Sequence, residues 1–445
     1  MAIATHGCKL NQAESQAMGR RFAQAGCSVV DACQSADIYI LNTCTVTHMA
    51  DAKARQWLRA ARRGSPHATI VATGCYAQRS PEALSRVVGV DLVVGNRDKA
   101  RLLEWIQGRG LLEKYGSLPA PDAPAPVSGY NPTSRTRAFV KVQEGCNQFC
   151  AFCIVPFTRG REANVPIPGV VGEIRARVRE GYKEVVITGP QIGSYGLYPP
   201  TLEAREDPQG CDGRLHSLVE AILEQTDVTR LRLSSIQPQD LTPRLLAAWR
   251  DPRLCRHAHM ALQSGCNSLL RRMGRRYSVF EYRRAVERLR EAVPDIAITT
   301  DILVGFPGEA EREYDEGHRF CREMGFAGMH VFPYSPRPGT RAEGMPNRVP
   351  QEVKKERMSQ MLALARDSAA RFRRSFIGRT MDVLWEEQQR LGRGMFWSGL
   401  TDNYLRVYTG DRQAGPNELT PVTLVGELEN GLLGRVRAAI AMATG

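Results

Sequence analysis

Short apolar runs alternating with amphipathic stretches fill the first quarter of the chain. Ala36 to Thr43, Ala68 to Gly74 and Val90 to Gly95 are brief, rich in β-branched residues and bounded by Gly, Asn or Thr, which is the pattern of buried parallel strands. Between the first two, Thr47 to Arg63 has helical periodicity, with capping residues at its start and Gly64-Ser-Pro as its stop. The alternation predicts a doubly wound α/β unit, with a ligand crevice at the carboxyl ends of its strands. From Lys114 to Arg135 the pattern stops. The run Gly116-Ser-Leu-Pro-Ala-Pro-Asp-Ala-Pro-Ala-Pro propagates neither helix nor sheet and reads as a linker.

Strand patterns then recur at the spacing of βα units: Ala138–Gln143, Glu184–Thr188, Arg230–Ser234, His259–Gln263, Ala297–Leu303 and Gly328–Phe332. That makes six, fewer than the eight of a closed barrel, and predicts an open, partial (β/α)6 barrel. Val349 to Phe376 reads as one long basic helix carrying Lys354, Lys355, Arg366, Arg371, Arg373 and Arg374, which a solvated face explains as well as a binding role does. Five alternating runs follow, beginning at Met381, Met395, Leu405, Thr420 and Leu433, and predict a small OB-like β-barrel. The organisation expected is an α/β unit over 1–112, a linker over 113–134, the partial barrel over 135–370 and the terminal barrel over 371–445.

Charge narrows the partners. With 445 residues the chain has room for two or three cores, and 60 Lys and Arg against 47 Asp and Glu leave a net charge of +13, suited to a polyanion. No segment approaches the roughly 20 apolar residues of a membrane span, and the start Met-Ala-Ile-Ala-Thr-His-Gly-Cys lacks a basic region followed by an apolar one. A cytoplasmic nucleic-acid-binding protein is expected, with no membrane contact. In the terminal barrel Trp397, Tyr404, Arg406 and Tyr408 are candidate stacking and phosphate contacts, while Trp385 reads as core.

The cysteines carry the chemistry. Cys146, Cys150 and Cys153 stand in Glu144-Gly-Cys-Asn-Gln-Phe-Cys-Ala-Phe-Cys, directly after the first barrel strand and so at the C-terminal rim. Three thiolates on one loop suit three irons of a 4Fe-4S cubane, leaving the fourth iron open to a small molecule. A structural zinc would want a fourth ligand in paired spacing, and none follows nearby. Cys8, Cys44 and Cys75 each follow a strand end in the first unit and would converge in space, although buried cysteines are common enough that this trio alone decides nothing. Cys27, Cys33, Cys211, Cys255, Cys266 and Cys321 read as structural, and His6 and His48 as packed or second-layer groups. At the barrel rim Thr188 and Gly189, then Ser234, Ser235 and Gln237, then Gln263 and Asp301, offer polar edges at successive strand ends. Gly305-Phe-Pro-Gly-Glu is as readily a plain turn.

The Cys146–Cys153 run resembles the radical SAM signature, in which the open iron chelates S-adenosylmethionine and Phe152 is the usual aromatic. With Cys8, Cys44 and Cys75 and the terminal barrel, the chain resembles the methylthiotransferases over nearly its whole length, and the terminal barrel resembles a TRAM domain. Gly7-Cys-Lys-Leu-Asn-Gln-Ala-Glu-Ser is similar to the branch acting on threonylcarbamoyl-adenosine in tRNA; Gln263-Ser-Gly-Cys-Asn and Phe332-Pro-Tyr-Ser-Pro-Arg-Pro-Gly-Thr agree with the family in general. Ala163-Asn-Val-Pro-Ile-Pro, Pro190 and Gln237 depart from its pattern around the cofactor.

The resemblance implies two 4Fe-4S clusters. One, on Cys146, Cys150 and Cys153, would cleave SAM to a 5′-deoxyadenosyl radical that takes hydrogen from carbon 2 of the adenine. The other, on Cys8, Cys44 and Cys75, would donate the sulfur. It further implies SAM contacts from Phe152, Thr188, Gly189, Ser235, Gln237 and Asp301, a tRNA substrate, an electron donor such as a flavodoxin or ferredoxin, and a sulfur source. The alternatives it leaves are isopentenyl-adenosine tRNA or a ribosomal protein as substrate, or a non-catalytic iron–sulfur RNA-binding protein.

Overall fold

The computed structural model describes residues 1–111, 136–197 and 214–437, so the expected linker and Cys211 lie outside the described residues. The first unit is a parallel sheet of β1 (Ala2–Thr5), β2 (Ile38–Thr43), β3 (Thr69–Gly74) and β4 (Leu92–Val94), in that order. Ala2 also bridges Val30 in parallel on the free side of β1, so the chain steps out to that edge and returns to β2. Helices cover both faces. On one, α1 (Lys9–Gln24) buries Met18 and Phe22 against Ile38, Ile40 and Val71. On the other, α2 (His48–Gly64), α3 (Cys75–Arg79) and α4 (Pro81–Ser85) bury Ala54, Leu58, Tyr76 and Leu84. The capping read at Thr47 is present, its side chain accepting from the Ala50 amide. Lys99 and α5 (Leu102–Gln107) end the unit.

All six expected barrel strands form. β5 (Arg137–Lys141) is followed by the two-residue strands β6 (Gln143–Glu144) and β7 (Ala163–Asn164), which flank the cysteine loop and α6 (Val155–Arg159) and pair with each other. After α7 (Ile167–Arg179) come β8 (Glu184–Thr188), α8 (Leu215–Gln225), β9 (Arg230–Leu233) and β10 (Ser235–Ile236). Next are α9 (Pro243–Ala248), β11 (His257–Met260), α10 (Asn267–Met273), α11 (Val279–Ala292), β12 (Ala297–Val304), α12 (Glu311–Met324) and β13 (Gly328–Pro333). Every pairing along β5-β8-β9 and β10-β11-β12-β13 is parallel, and Ser234 is the step between the two runs. The fourth strand starts two residues earlier than the apolar pattern implied, because His257 and His259 point into a polar lumen.

The arc is open beside β5, and the first unit closes it. Gln16 on α1 stands where another strand would, its amide accepting from Phe139 N at 3.0 Å and donating to Arg137 O at 3.4 Å. Ala13, Phe139 and Val186 pack below it. The long basic helix is α13 (Gln351–Arg374); it buries Arg357, Met361 and Leu364 and leaves Lys355, Arg366, Arg371 and Arg374 exposed.

Five strands then close a barrel in the order β14 (Thr380–Leu391), β15 (Gly394–Thr401), β16 (Arg406–Thr409), β18 (Gly431–Val436), β17 (Leu419–Leu428). Trp385 is fully buried in its core, as expected, with its indole N–H on Thr420 Oγ1. Two of its proposed RNA contacts are misread. Tyr408 is buried, and Tyr404 caps the floor of the partial barrel, stacked on His257 at 4.6 Å with Arg232 4.8 Å from its ring centroid. Around it Arg232 donates to Asp402 O, Arg230 to Leu400 O and Asp382 O, and Asn403 to Asp295 O. Arg406 is spent on Glu386 and Ser398. The terminal barrel is therefore also a lid on the barrel floor, and Tyr404→Ala is expected to cost about 2 kcal/mol, read as a lower urea midpoint. No change in the midpoint would remove Tyr404 from that role.

Candidate cluster-binding site

The turn after each strand of the first unit delivers one thiol. Cys8 follows β1, Cys44 follows β2 and Cys75 opens α3. They meet at one place: burial pushes the Cys44 thiol up to about 12, with Cys75 and Cys8 close enough to add to the shift. Asn96 Nδ2 lies 3.4 Å from Cys75 Sγ and also donates to Thr158 O at 3.1 Å, which ties this group to α6 of the barrel.

The second group sits on the loop between β6 and α6. Gly145 turns the chain at φ +66°, where a Cβ would stand 2.0 Å from Arg161 O, so no larger residue fits this entry to the loop. The loop is held from outside, Ala151 N donating to Met273 O and Ala342 N to Ala151 O, both at 2.8 Å. Burial again raises Cys153 to about 12, with Cys150 and Cys146 contributing. Arg275 reaches in and places Nη1 3.4 Å from Cys150 Sγ. Among the described residues no three His, Cys, Asp or Glu side chains gather tightly enough to hold one metal ion.

Arg159, at the end of α6, joins the two groups. Its side chain is 2 % exposed and donates to Glu14 Oε1 at 2.9 Å, Glu14 Oε2 at 3.1 Å, Glu144 Oε1 at 2.6 Å and Asn11 Oδ1 at 2.5 Å. Burial opposes its charge, but Cys75, Glu14 and Glu144 hold its pKa well above the usual value. Lys99 completes the cluster, 2.6 Å from Glu14. A second buried arginine, Arg337 in the loop after β13, crosses to Thr45 O at 3.1 Å and Asp51 Oδ2 at 2.7 Å beside Cys44.

The rim residues fare unequally. Gln237 is buried and donates to Gln148 in the cysteine loop at 2.9 Å and to Gln191 at 2.6 Å. Asp240 backs this network, and burial raises its pKa to about 6. Phe152 packs against the cluster of Ala151, Leu269, Met273 and Phe306; Thr188 is buried and Ser235 half-buried at their strand ends. Ser234 Oγ is buried without a hydrogen-bond partner among the described residues. Asp301 accepts from His259 at 3.2 Å inside the lumen. At Gly189 a Cβ would meet Gln143 Cβ at 2.7 Å, so its small size is needed for packing against Gln143.

Of the other cysteines, Cys255, Cys266 and Cys321 are buried, but Cys33 is exposed and is no core thiol. His48 offers its backbone N–H to Ser335, and His6 packs with Nδ1 unpartnered among the described residues. Reading the sequence missed Arg275, Asn96 and Lys99 and the pairing of Arg159 with Glu14, because a single polar residue carries no local signal of a distant partner.

Comparison with known proteins shows what the chain is similar to. Residues 1–95 match the Uncharacterized protein family UPF0004, and residues 140–321 the Radical SAM superfamily. The Threonylcarbamoyladenosine tRNA methylthiotransferase MtaB of Bacillus subtilis (strain 168) is 37% identical over 92% of this chain and 89% of its own length. The protein of the same name from Aquifex aeolicus (strain VF5) is 34% identical over 92% and 96%. The tRNA-2-methylthio-N(6)-dimethylallyladenosine synthase of Ehrlichia canis (strain Jake) is 32% identical over 98% and 99%. Among solved structures, the radical S-adenosylmethionine methyltransferase TsrM from Kitasatospora setae aligns with a TM-score of 0.54 at 15% identity, over 77% of this chain and 74% of that one, a likeness of fold.

Breaking the Arg159 junction tests its weight. Arg159→Met leaves Glu14 with Lys99 and the more distant Lys141 and is expected to destabilise the packing of the two units by about 3 kcal/mol. Adding Glu14→Leu should deepen that loss, since Lys99 is then buried with only the Asn42 amide oxygen for a partner. Urea unfolding and hydrogen exchange at α1 give the readout. Burial would raise the Glu14 carboxyl, but Lys99 and Arg159 prevail and hold it well below its ordinary 4.5. Its contribution is thus present above that pH and lost as the pH falls below it.

Proposed function

The chain belongs to the radical SAM methylthiotransferases, enzymes that transfer sulfur-containing groups, and on that premise we propose that it inserts a methylthio group at carbon 2 of N6-threonylcarbamoyladenosine beside the anticodon of tRNA. Its cofactors are S-adenosylmethionine and 4Fe-4S clusters. The observation that carries the reading is the burial of Arg159, which closes the helix after Cys153, on Glu14 and Asn11 in the helix after Cys8, with Cys75 helping to hold its charge. Similarity to relatives named for the threonylcarbamoyl nucleoside supports that substrate over the dimethylallyl one, whose named relative is also 32% identical.

Cys146, Cys150 and Cys153 would hold the SAM-cleaving cluster, and Cys8, Cys44 and Cys75 the sulfur-donating one. The donor sets fit: each has three thiols and one N–H aimed at sulfur, Arg275 on Cys150 and Asn96 on Cys75. When bound, these groups supply the radical chemistry that opens the C–H bond and the sulfur that replaces hydrogen. The chain's own residues position and insulate. Arg275 and Asn96 supply hydrogen bonds to the sulfurs, which raise a cluster's potential relative to a bare thiolate set. Gln237, Gln148 and Gln191 fix the cysteine loop against the rim, where Phe152, Thr188, Gly189, Ser235, Gln237 and Asp301 would meet S-adenosylmethionine. The orphaned Ser234 hydroxyl is free to hydrogen-bond a ligand there.

The chain divides into an N-terminal cluster unit (1–112), a linker (113–134), a radical SAM core (135–370) and a TRAM-type, OB-like RNA-binding barrel (371–445). Supporting RNA contact are the net charge of +13 and the hairpin of β14 and β15, where Arg390 and Arg393 are exposed beside half-buried Phe396 and Trp397. Electrons would come from a partner such as a flavodoxin or ferredoxin, and sulfur from a separate source.

Two experiments test this. After anaerobic reconstitution, substituting Cys146, Cys150 and Cys153 together is expected to leave about half the iron of the parent protein, since the other triad is intact; full retention, or complete loss from a folded chain, overturns the two-site assignment. In cells lacking the protein, mass spectrometry of tRNA nucleosides is expected to show the threonylcarbamoyl nucleoside without its methylthio form, and Cys8→Ala should not restore it. An unchanged nucleoside pool would refute the substrate.

A further inference from the structure

Lys9 follows Cys8 directly, opens α1 and extends its side chain into the lumen of the partial barrel. Its ammonium lies 5.8 Å from the centroid of the Tyr404 ring, the same ring that Arg137 and Arg232 approach at 5.9 and 4.8 Å. The two arginines are spoken for. Arg232 is bound to Glu184 at 2.7 and 3.0 Å, and Arg137 to Glu386 at 2.7 Å. Glu184, the carboxylate that Lys9 senses, is held by Arg232, and Asp301 is hydrogen-bonded to His259. Among the described residues Lys9 makes no ion pair and no hydrogen bond, and it remains half-buried rather than immersed in solvent. The lumen is open to solvent where His330 is exposed and Asp301 is 29% exposed. A cation enclosed on several sides, with its neighbours' charges already matched, lacks only an anion.

We propose that Lys9 is a specificity-determining residue that binds the carboxylate of the threonyl group on the substrate adenine. The assignment rests on the threonylcarbamoyl-adenosine reading above. Lys9 adjoins Cys8 in the chain while its ammonium lies in the lumen, so on this proposal the carboxylate-bearing side chain of an adenine presented to the thiols of Cys8, Cys44 and Cys75 extends into the lumen to meet it. An ammonium on a flexible stem suits a carboxylate whose exact approach depends on the RNA around it. An apolar dimethylallyl group offers it nothing, so the same residue discriminates against that nucleoside.

The test is binding of short anticodon stem–loop RNAs to the full chain with its clusters reconstituted. Three RNAs are compared, carrying threonylcarbamoyl-adenosine, its threonine methyl ester, or unmodified adenosine. The parent protein is expected to bind the free acid about tenfold tighter than the ester, and Lys9→Met to bind the two within about threefold of each other. Lys9→Arg is expected to keep most of the preference, because its charge remains. Iron content and circular dichroism report assembly, and a purely structural lysine would alter these without changing the acid-to-ester ratio. If Lys9→Met does not assemble, the acid-to-ester ratios of the parent protein and Lys9→Arg decide.

A parent protein that prefers threonylcarbamoyl RNA to unmodified RNA, yet ignores esterification, overturns the lysine assignment and leaves the substrate reading intact. Retention of the tenfold ratio by Lys9→Met does the same, as does weakened binding of S-adenosylmethionine alone with that ratio unchanged. A parent protein indifferent between threonylcarbamoyl and unmodified RNA overturns both.

Discussion

The buried contact of Arg159 with Glu14, Glu144 and Asn11 is the constraint on which the arrangement depends. A guanidinium this enclosed is tolerated only when its charge and its N–H groups are matched, and here two carboxylates and an amide from two separate units match them. Its position is therefore specified by both units together. Because α6 begins just past Cys153 and Glu14 lies within α1, just beyond Cys8, fixing Arg159 on Glu14 fixes one cysteine group relative to the other.

Other contacts share the same logic. Gln16 completes the backbone hydrogen bonding of the exposed edge of β5, so α1 substitutes for a strand as well as a helix layer. Arg337 pins the opposite side, beside Cys44. The terminal barrel closes the floor with Tyr404, leaving the lumen bounded by three parts of the chain. Chemistry that requires two clusters to address one carbon has to control the gap between them, and buried, matched charges hold a gap more rigidly than surface pairs, whose contribution is about 0–1 kcal/mol.

Much of this was legible in the sequence because hydrophobic periodicity encodes local faces. The six barrel strands, the five strands of the terminal barrel, the long basic helix and the Thr47 cap all declare themselves over a few residues. So did the convergence of Cys8, Cys44 and Cys75, since thiols at successive carboxyl ends of a parallel sheet must lie along one edge. Tyr404 was misread because an aromatic in a barrel hairpin carries no mark of what that hairpin covers. Arg159 and Glu14 are 145 residues apart, and pairing over that separation is set by tertiary packing, of which neither helix bears a trace.

The central claim is that two three-thiolate sites face each other at short range across the Arg159 junction. Electron paramagnetic resonance of the fully reduced, reconstituted protein tests it most directly, because two paramagnetic clusters at such range perturb each other's spectra. The account predicts a spectrum that differs from the sum of those of the two single-triad variants, with line broadening or fast relaxation due to magnetic coupling. A spectrum equal to that sum, with relaxation unchanged, would mean that the two cysteine groups hold independent, distant centres and would contradict it.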